Sequence, residues 1–435
     1  MIRLRALFAI VTAATLLGAA PAPAPALHFP KASPSLTDGT SFLTENEDDA
    51  RLSGVQLFFA AGLDRQTAAR SGIAALTAAS LERTPVDGVA VRDAIASRGG
   101  ALQYTVDARE TRFYLEARPD DLPAMIALFA RALAAPAFTS ETLSASRGEL
   151  NARISDSEGE GIAVGLEMFR RSYYGSDAGL PTLGTQASLA ALGSGDVTAF
   201  FAANYRKAGF RASGVGRMTP SISGAVRALA AGLASGGSAT ISLKVKPIPS
   251  NAPRIVARRD VGAPIVVVGF AAPEPASKDF GAMLILEGLL SNAFERSSAT
   301  TLGIVERSVG AQYLYDGAPA SLIVYVNGNR VDPSLALREV LLVSKTLAAR
   351  PMGAASLRQF KSSAEGIFVT DNMTLVDRSY LLGTLNAQGL GSDPINAALA
   401  AIERTTASDV QRVAKQYLQR YIVALVLPRQ ASEGT

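Results

Sequence analysis

The order of patterns between residues 55 and 216 returns between residues 264 and 427, and that repetition limits what this chain of 435 residues can become. Val55–Ala61 (VQLFFAA) is an uninterrupted apolar run of the length of a buried strand, and Pro264–Ala271 (PIVVVGFA) answers it. The small-residue helix expected over Ala68–Leu81 is matched by Asp279–Leu290. A second helix is expected over Val86–Arg98, closed by Gly99 and Gly100. Alternating runs Ala101–Asp107 and Glu110–Ala117 read as a hairpin, answered by Gly310–Tyr315 and Ser321–Gly328. Asp120–Leu133 has apolar residues at helical spacing, as does Ser334–Ala348. Pro136–Asp156 pairs with Pro351–Asp371, and Leu189–Tyr205 pairs with Ala401–Tyr417. Each half ends on a strand, at Ala212–Gly216 and Tyr421–Leu427.

One order of elements used twice indicates an internal duplication. The expected fold is α+β, with two homologous α/β-sandwich domains, each a sheet backed by helices. The Gly-, Ser- and Pro-rich stretch 231–253 is the expected linker between an N-terminal domain, 46–230, and a C-terminal domain, 254–430. Before them, Arg3 and Arg5 precede the apolar Leu7–Ala20, and Ala22–Ala26 offers small-residue cleavage sites. Residues 1–26 therefore read as a signal peptide, 27–45 as a flexible N-terminus, and the protein as exported, to a periplasm. The apolar run is shorter than the ~20 residues that span a bilayer.

Composition removes most chemistries. There is no cysteine, hence no disulfide, thiolate zinc site or cysteine nucleophile. The single histidine, His28, lies beside the leader, so the body has no imidazole for a Ser-His-Asp triad or a His-ligated metal. Without the two leader arginines the net charge of +4 falls to +4 − 2 = +2, and no Lys/Arg cluster tracks a phosphate backbone. No P-loop is present; Gly389-Leu390-Gly391 lacks both a leading strand and a third glycine, since Pro394 stands there. Tyr173 and Tyr174 sit in an apolar context and read as core or loop anchors. The acidic run Glu149, Asp156, Glu158 and Glu160 has no calcium-loop spacing and reads as a solvated helix face.

The most informative segment is Gly72–Thr84 (GIAALTAASLERT), following the strand VQLFFAAGLD. With the hairpin SRGGALQYTVDARETRFYLEA, the helix and loop DLPAMIALFARALAAPAFTSE, the loop Leu183-Gly184-Thr185 and the later Asp-Val…Tyr helix, it resembles the pitrilysin/insulinase family of zinc metallopeptidases. That family carries an inverted H-x-x-E-H motif on its first helix. Gly72-Ile73-Ala74 fits the approach to the motif. The two ligand histidines then fall on Ala75 and Ala79, and the catalytic glutamate on Ala78. The family's third ligand, a glutamate on a later helix, matches Glu149.

The resemblance also implies an Arg and a Tyr from the second domain that hold the substrate carbonyl. Tyr313 fits, but Glu306 stands seven residues before it and Arg307 is one residue out of register. Arg307 and Tyr313 are kept as candidate substrate or partner contacts. Methyl groups cannot grip zinc or deprotonate a bound water. The chain is therefore expected to bind no cofactor itself and to be a non-catalytic, regulatory or substrate-holding subunit. Its partner would be a zinc-bearing subunit of the same family, and its substrate a peptide or unfolded protein. Nucleic acid is not an expected partner. The alternative is a standalone peptide-binding or assembly protein on the same scaffold.

Overall fold

A computed structural model describes residues 28–36, 38–175, 179–236, 245, 247–297, 309–315, 319–328 and 332–429. The expected leader 1–26, Arg307 and part of the expected linker 231–253 lie outside the described residues.

The first half runs β1 (Ser33–Pro34), β2 (Phe42–Asn46), β3 (Ser53–Phe59), α1 (Ile73–Glu82), β4 (Pro85–Val86), β5 (Val89–Ala90) and α2 (Val91–Ala96). It continues with β6 (Ala101–Val106), β7 (Thr111–Ala117), α3 (Leu122–Ala134), α4 (Ser140–Gly159) and α5 (Gly161–Tyr174). It ends in α6 (Gln186–Ala191), α7 (Ser194–Asn204), β8 (Arg211–Gly216) and α8 (Pro220–Gly232). The second half holds β9 (Arg254–Arg259), β10 (Ile265–Ala271), α9 (Phe280–Ser297), β11 (Val309–Leu314), β12 (Ser321–Asn327) and α10 (Pro333–Ala349). Four helices and a strand follow: α11 (Ala354–Asp371), α12 (Leu375–Ala387), α13 (Pro394–Arg404), α14 (Ala407–Tyr417) and β13 (Tyr421–Pro428).

The strands form two main sheets, ordered β1-β2-β8-β3-β7-β6 and β11-β12-β10-β13-β9. Leaving aside β1, the two have the same layout. In each, the central strand (β3 or β10) lies antiparallel to both neighbours, and the outer pair (β2 with β8, β9 with β13) is parallel. The fold is α+β, as its patterning predicts.

Both central strands are buried on two faces, which explains their continuous hydrophobicity. In β10, Val266, Val268 and Phe270 join a core with α9, while Ile265 and Val267 join another with Phe169 and Tyr173 of α5. In β3, Val55, Leu57 and Phe59 join the core around α1. The opposite face of that sheet is covered from the second half: Gln56 Nε2 donates to the Val376 carbonyl at 3.3 Å, and Ser213 Oγ to the Ser379 carbonyl.

Helices are thus exchanged. α5, from the first half, packs on β10 and β13; α12, from the second, packs on β3 and β8. Tyr173 and Tyr174 fasten α5 there, their hydroxyls donating to the carbonyls of Ala320 and Pro319 at 3.1 and 3.0 Å. Among the described residues, no helix is long and apolar enough to cross a membrane.

Several local expectations are corrected. Residues 68–70 form a separate short turn, and the helix starts only after Gly72, whose φ of +88° breaks it. The expected helix 86–98 begins as a tight hairpin, β4–β5, turned at Asp87 and Gly88, both at positive φ. Its helical part is only α2. The glycine-rich interruption at 158–161 is a bend between two long helices. The second of these, α5, carries the aromatics.

Candidate functional site

The local cause of α1 is a pair of glycines. A Cβ on Gly72 would fall 2.7 Å from the Leu183 carbonyl oxygen, and one on Gly184 2.7 Å from the Gly72 Cα. Two of the strings that carry the family resemblance therefore meet backbone to backbone at the start of this helix. The amides at the start of α1, which lack partners within the helix, are satisfied by Gln66, whose Oε1 accepts from Gly72 N–H at 3.0 Å and Ala74 N–H at 3.2 Å. Every residue of α1 is buried, between the β6 end of its sheet and the helices α4 and α7.

Ala75, Ala78 and Ala79 are 0, 0 and 1 % exposed and belong to the main core of the first half. The hydroxyls of the helix bond internally: Thr77 Oγ1 to the Ile73 carbonyl at 2.8 Å, and Ser80 Oγ to Ser146 Oγ of α4 at 3.2 Å. Zinc requires electron-pair donors and, for catalysis, an open coordination position. Three closely packed methyl groups supply neither, so these residues do not fit the zinc of an H-x-x-E-H site, and no catalytic step can be routed through them.

Glu149, the match to the third ligand, stands on α4 and is held by two guanidinium groups. Arg83 Nη2 approaches its Oε2 at 2.8 Å and Arg92 Nη1 at 3.2 Å. Glu82 is 6 % exposed nearby, and its carboxyl is pushed up to about 8, first by burial and then by the charge of Glu149. Arg153 reaches the Tyr104 hydroxyl at 2.9 Å. The cluster is an ion-pair network joining α1, α2 and α4. Asp156, Glu158 and Glu160 are accessible to solvent on the same stretch, as a solvated helix face requires. His28 lies along a groove with Asn396 of α13, beside Phe29, whose N–H is held by Asn396 Oδ1 at 3.0 Å.

Tyr313, on β11, is 4 % exposed; its hydroxyl donates to the Pro273 carbonyl and its ring packs on Phe280 and Tyr315. It also edges a cavity of about 360 Å³ between the β6–β7 hairpin and α9, α11 and α12. Sequence reasoning misses this cavity. The signal in the string is Glu287, a carboxyl standing alone in the apolar run 282–290 (AMLILEGLL). Burial pushes that carboxyl up to about 8, while the Tyr313 N–H at 2.8 Å acts against the shift.

Residues 41–186 match the family model of insulinase (peptidase family M16). No curated protein matches the chain. Among solved structures, a protease from Helicobacter pylori is similar over 92% of this chain and 100% of its own, with TM-score 0.80 and 16% identity. A peptidase M16 inactive domain from Pseudomonas fluorescens covers 91% and 98%, with TM-score 0.77 and 15% identity. A putative M16-like peptidase from Alicyclobacillus acidocaldarius covers 91% and 97%, with TM-score 0.74 and 14% identity. At such identities these structures establish the shared fold. Residues 41–186 thus resemble the insulinase (M16) family, and the shared fold extends over 92% of the chain; on that resemblance the H-x-x-E-H positions fall on Ala75, Ala78 and Ala79.

Proposed function

We propose that this chain is the non-catalytic, regulatory or substrate-holding subunit of an exported M16 zinc peptidase, paired with an active subunit that carries an intact H-x-x-E-H. The observation that carries the reading is the retention of the whole α1 setting around three buried alanines. Gly72 and Gly184 pack backbone to backbone, as the fold of α1 requires, while the ligand and base positions beside them hold only methyl groups. The similar Pseudomonas fluorescens structure is described as an inactive domain, which supports the same reading. The common strand order of the two sheets supports an origin by duplication. The leader-like pattern of residues 1–26 supports export to the periplasm.

The test is co-expression of the full chain with an H-x-x-E-H protein encoded beside it. The two should elute together in size exclusion, and this chain should change the partner's peptide hydrolysis. Separate elution with unchanged hydrolysis would favour the alternative, a standalone peptide-binding or assembly protein.

A further inference from the structure

The cavity of about 360 Å³ edged by Tyr313 has a charge balance unlike that of the chain as a whole. Its carboxyl groups are Asp107, Glu287, Asp371 and Asp377, and the single cation among its described lining residues is Arg112. Arg112 is already engaged: its Nη1 bonds Asp107, and its guanidinium stacks 3.7 Å over the Tyr380 ring. Glu287 uses one oxygen for the Tyr313 N–H, and among the described residues nothing donates to the other. Asp371 has no ion pair among the described residues, and burial and then the charge of Asp377 push its carboxyl upward. Asp107 is neutralised by Arg112 and Glu287 keeps its proton below about pH 8, so Asp371 and Asp377 are the charged acids at the end of an apolar slot, and with the free Glu287 oxygen they suit a positive occupant.

A bare metal ion does not suit it. Among the described residues, no three His, Cys, Asp or Glu side chains converge closely enough to hold a metal ion. The carboxyls are spread over separate elements, α9, the end of α11 and the first turn of α12. The walls between them are apolar, from Leu284, Ile367 and Leu381. At the rim Ile367 is 38 % exposed, and Met373, 66 % exposed, lies just beyond Asp371. Long aliphatic stems with a cationic tip match a slot of this kind, because the stem replaces water on apolar walls while the tip reaches the acids.

We propose that this cavity binds the cationic side chain of a polypeptide, an arginine or a lysine, with its tip among Glu287, Asp371 and Asp377 and its stem along Leu284 and Ile367. The site stands apart from the pairing proposed above: a chain that never pairs would still bind the probe, and a chain that pairs need not.

The probes are blocked pentapeptides of alanine with arginine, lysine, norleucine or glutamate at the centre, titrated calorimetrically into the full chain. The arginine or lysine peptide should bind at least about tenfold more tightly than the norleucine peptide and weaken with added salt, with no binding of the glutamate peptide. Asp371→Asn, at an exposed helix end, should weaken the cationic peptide about tenfold while leaving thermal stability unchanged. Glu287→Gln, which keeps an oxygen for the Tyr313 N–H, should weaken the cationic peptide only above about pH 8, where the carboxyl is charged. Equal binding of the arginine and norleucine peptides, preference for glutamate, absence of binding by all four, or an unaffected Asp371→Asn variant would each overturn the proposal.

Discussion

Gly383 of α12 lies face to face with Phe58 of β3, so close that a Cβ on the glycine would stand 2.6 Å from the phenylalanine ring. The contact joins a helix of the second half to the sheet of the first. Gly383→Ala should therefore destabilise the whole chain, by about 2 kcal/mol, through forced displacement of a buried ring. Gly366→Ala is the control, since a Cβ added there on α11 would meet nothing within 4 Å. That change should be neutral or stabilising by about 0.5–1 kcal/mol, from helix propensity. Chemical denaturation of the two variants beside the parent gives the comparison, and equal effects would contradict the packing account.

The same helix carries Arg378, whose Nε lies 3.2 Å from Glu45 and whose Nη2 bonds Glu47. Glu45 is fully buried. Above about pH 8, where Glu45 is ionised, Arg378→Ala should cost about 3 kcal/mol or more, because a buried carboxylate loses its counter-charge. Arg378→Met with Glu45→Leu should recover part of that loss, since the desolvated acid goes too. A double variant no better than the single one would show that the helix needs the charge itself.

Stability should fall as pH rises between about 4.5 and 8. Glu82 is pushed from its ordinary 4.5 up to about 8, so the folded chain retains a proton that the unfolded chain releases. The stabilisation is complete below the ordinary value and is lost as pH passes through 8. Glu45 and Glu287 are shifted the same way, each chiefly by burial. Glu82→Gln should flatten the slope, by an amount on the order of 1–3 kcal/mol across that window. Urea midpoints measured every half pH unit would show it, and an unaltered slope would remove Glu82 from the account.

Rebuilding the family motif should fail. Ala75→His, Ala78→Glu and Ala79→His together place three large polar groups where each methyl is at most 1 % exposed. A loss above about 3 kcal/mol is expected, by overpacking and by burial of unpaired polar groups. A triple variant that folds with parental stability and takes up zinc would show that the core around α1 is more open than the structure has it.

Much of the fold can be read along the chain because hydrophobic period and turn chemistry are local. The hairpin at 101–117 falls within a residue of its expected ends, as does the strand from Pro264. The three alanines are legible for a different reason: a missing side chain is visible in sequence whatever its surroundings. The exchange of α5 and α12 is not legible. Gly161 and Gly165 face Ile265 and Val267 across the two halves, and nothing in the spacing of α5 says which sheet its small face will meet. The Asp87-Gly88 turn is a hairpin signal in its own right, but the helical spacing after it masks it. The cavity at Glu287 needs elements far apart in sequence, so only its lone carboxyl shows in the string.

The central claim is that the chain carries the M16 fold without its metal chemistry, and zinc stoichiometry measured together with peptide hydrolysis tests it most directly. The full chain, incubated with zinc, dialysed and assayed by atomic absorption, should hold far less than one zinc per molecule and cleave no peptide. One zinc per chain, with hydrolysis that a chelator abolishes and zinc restores, would contradict it.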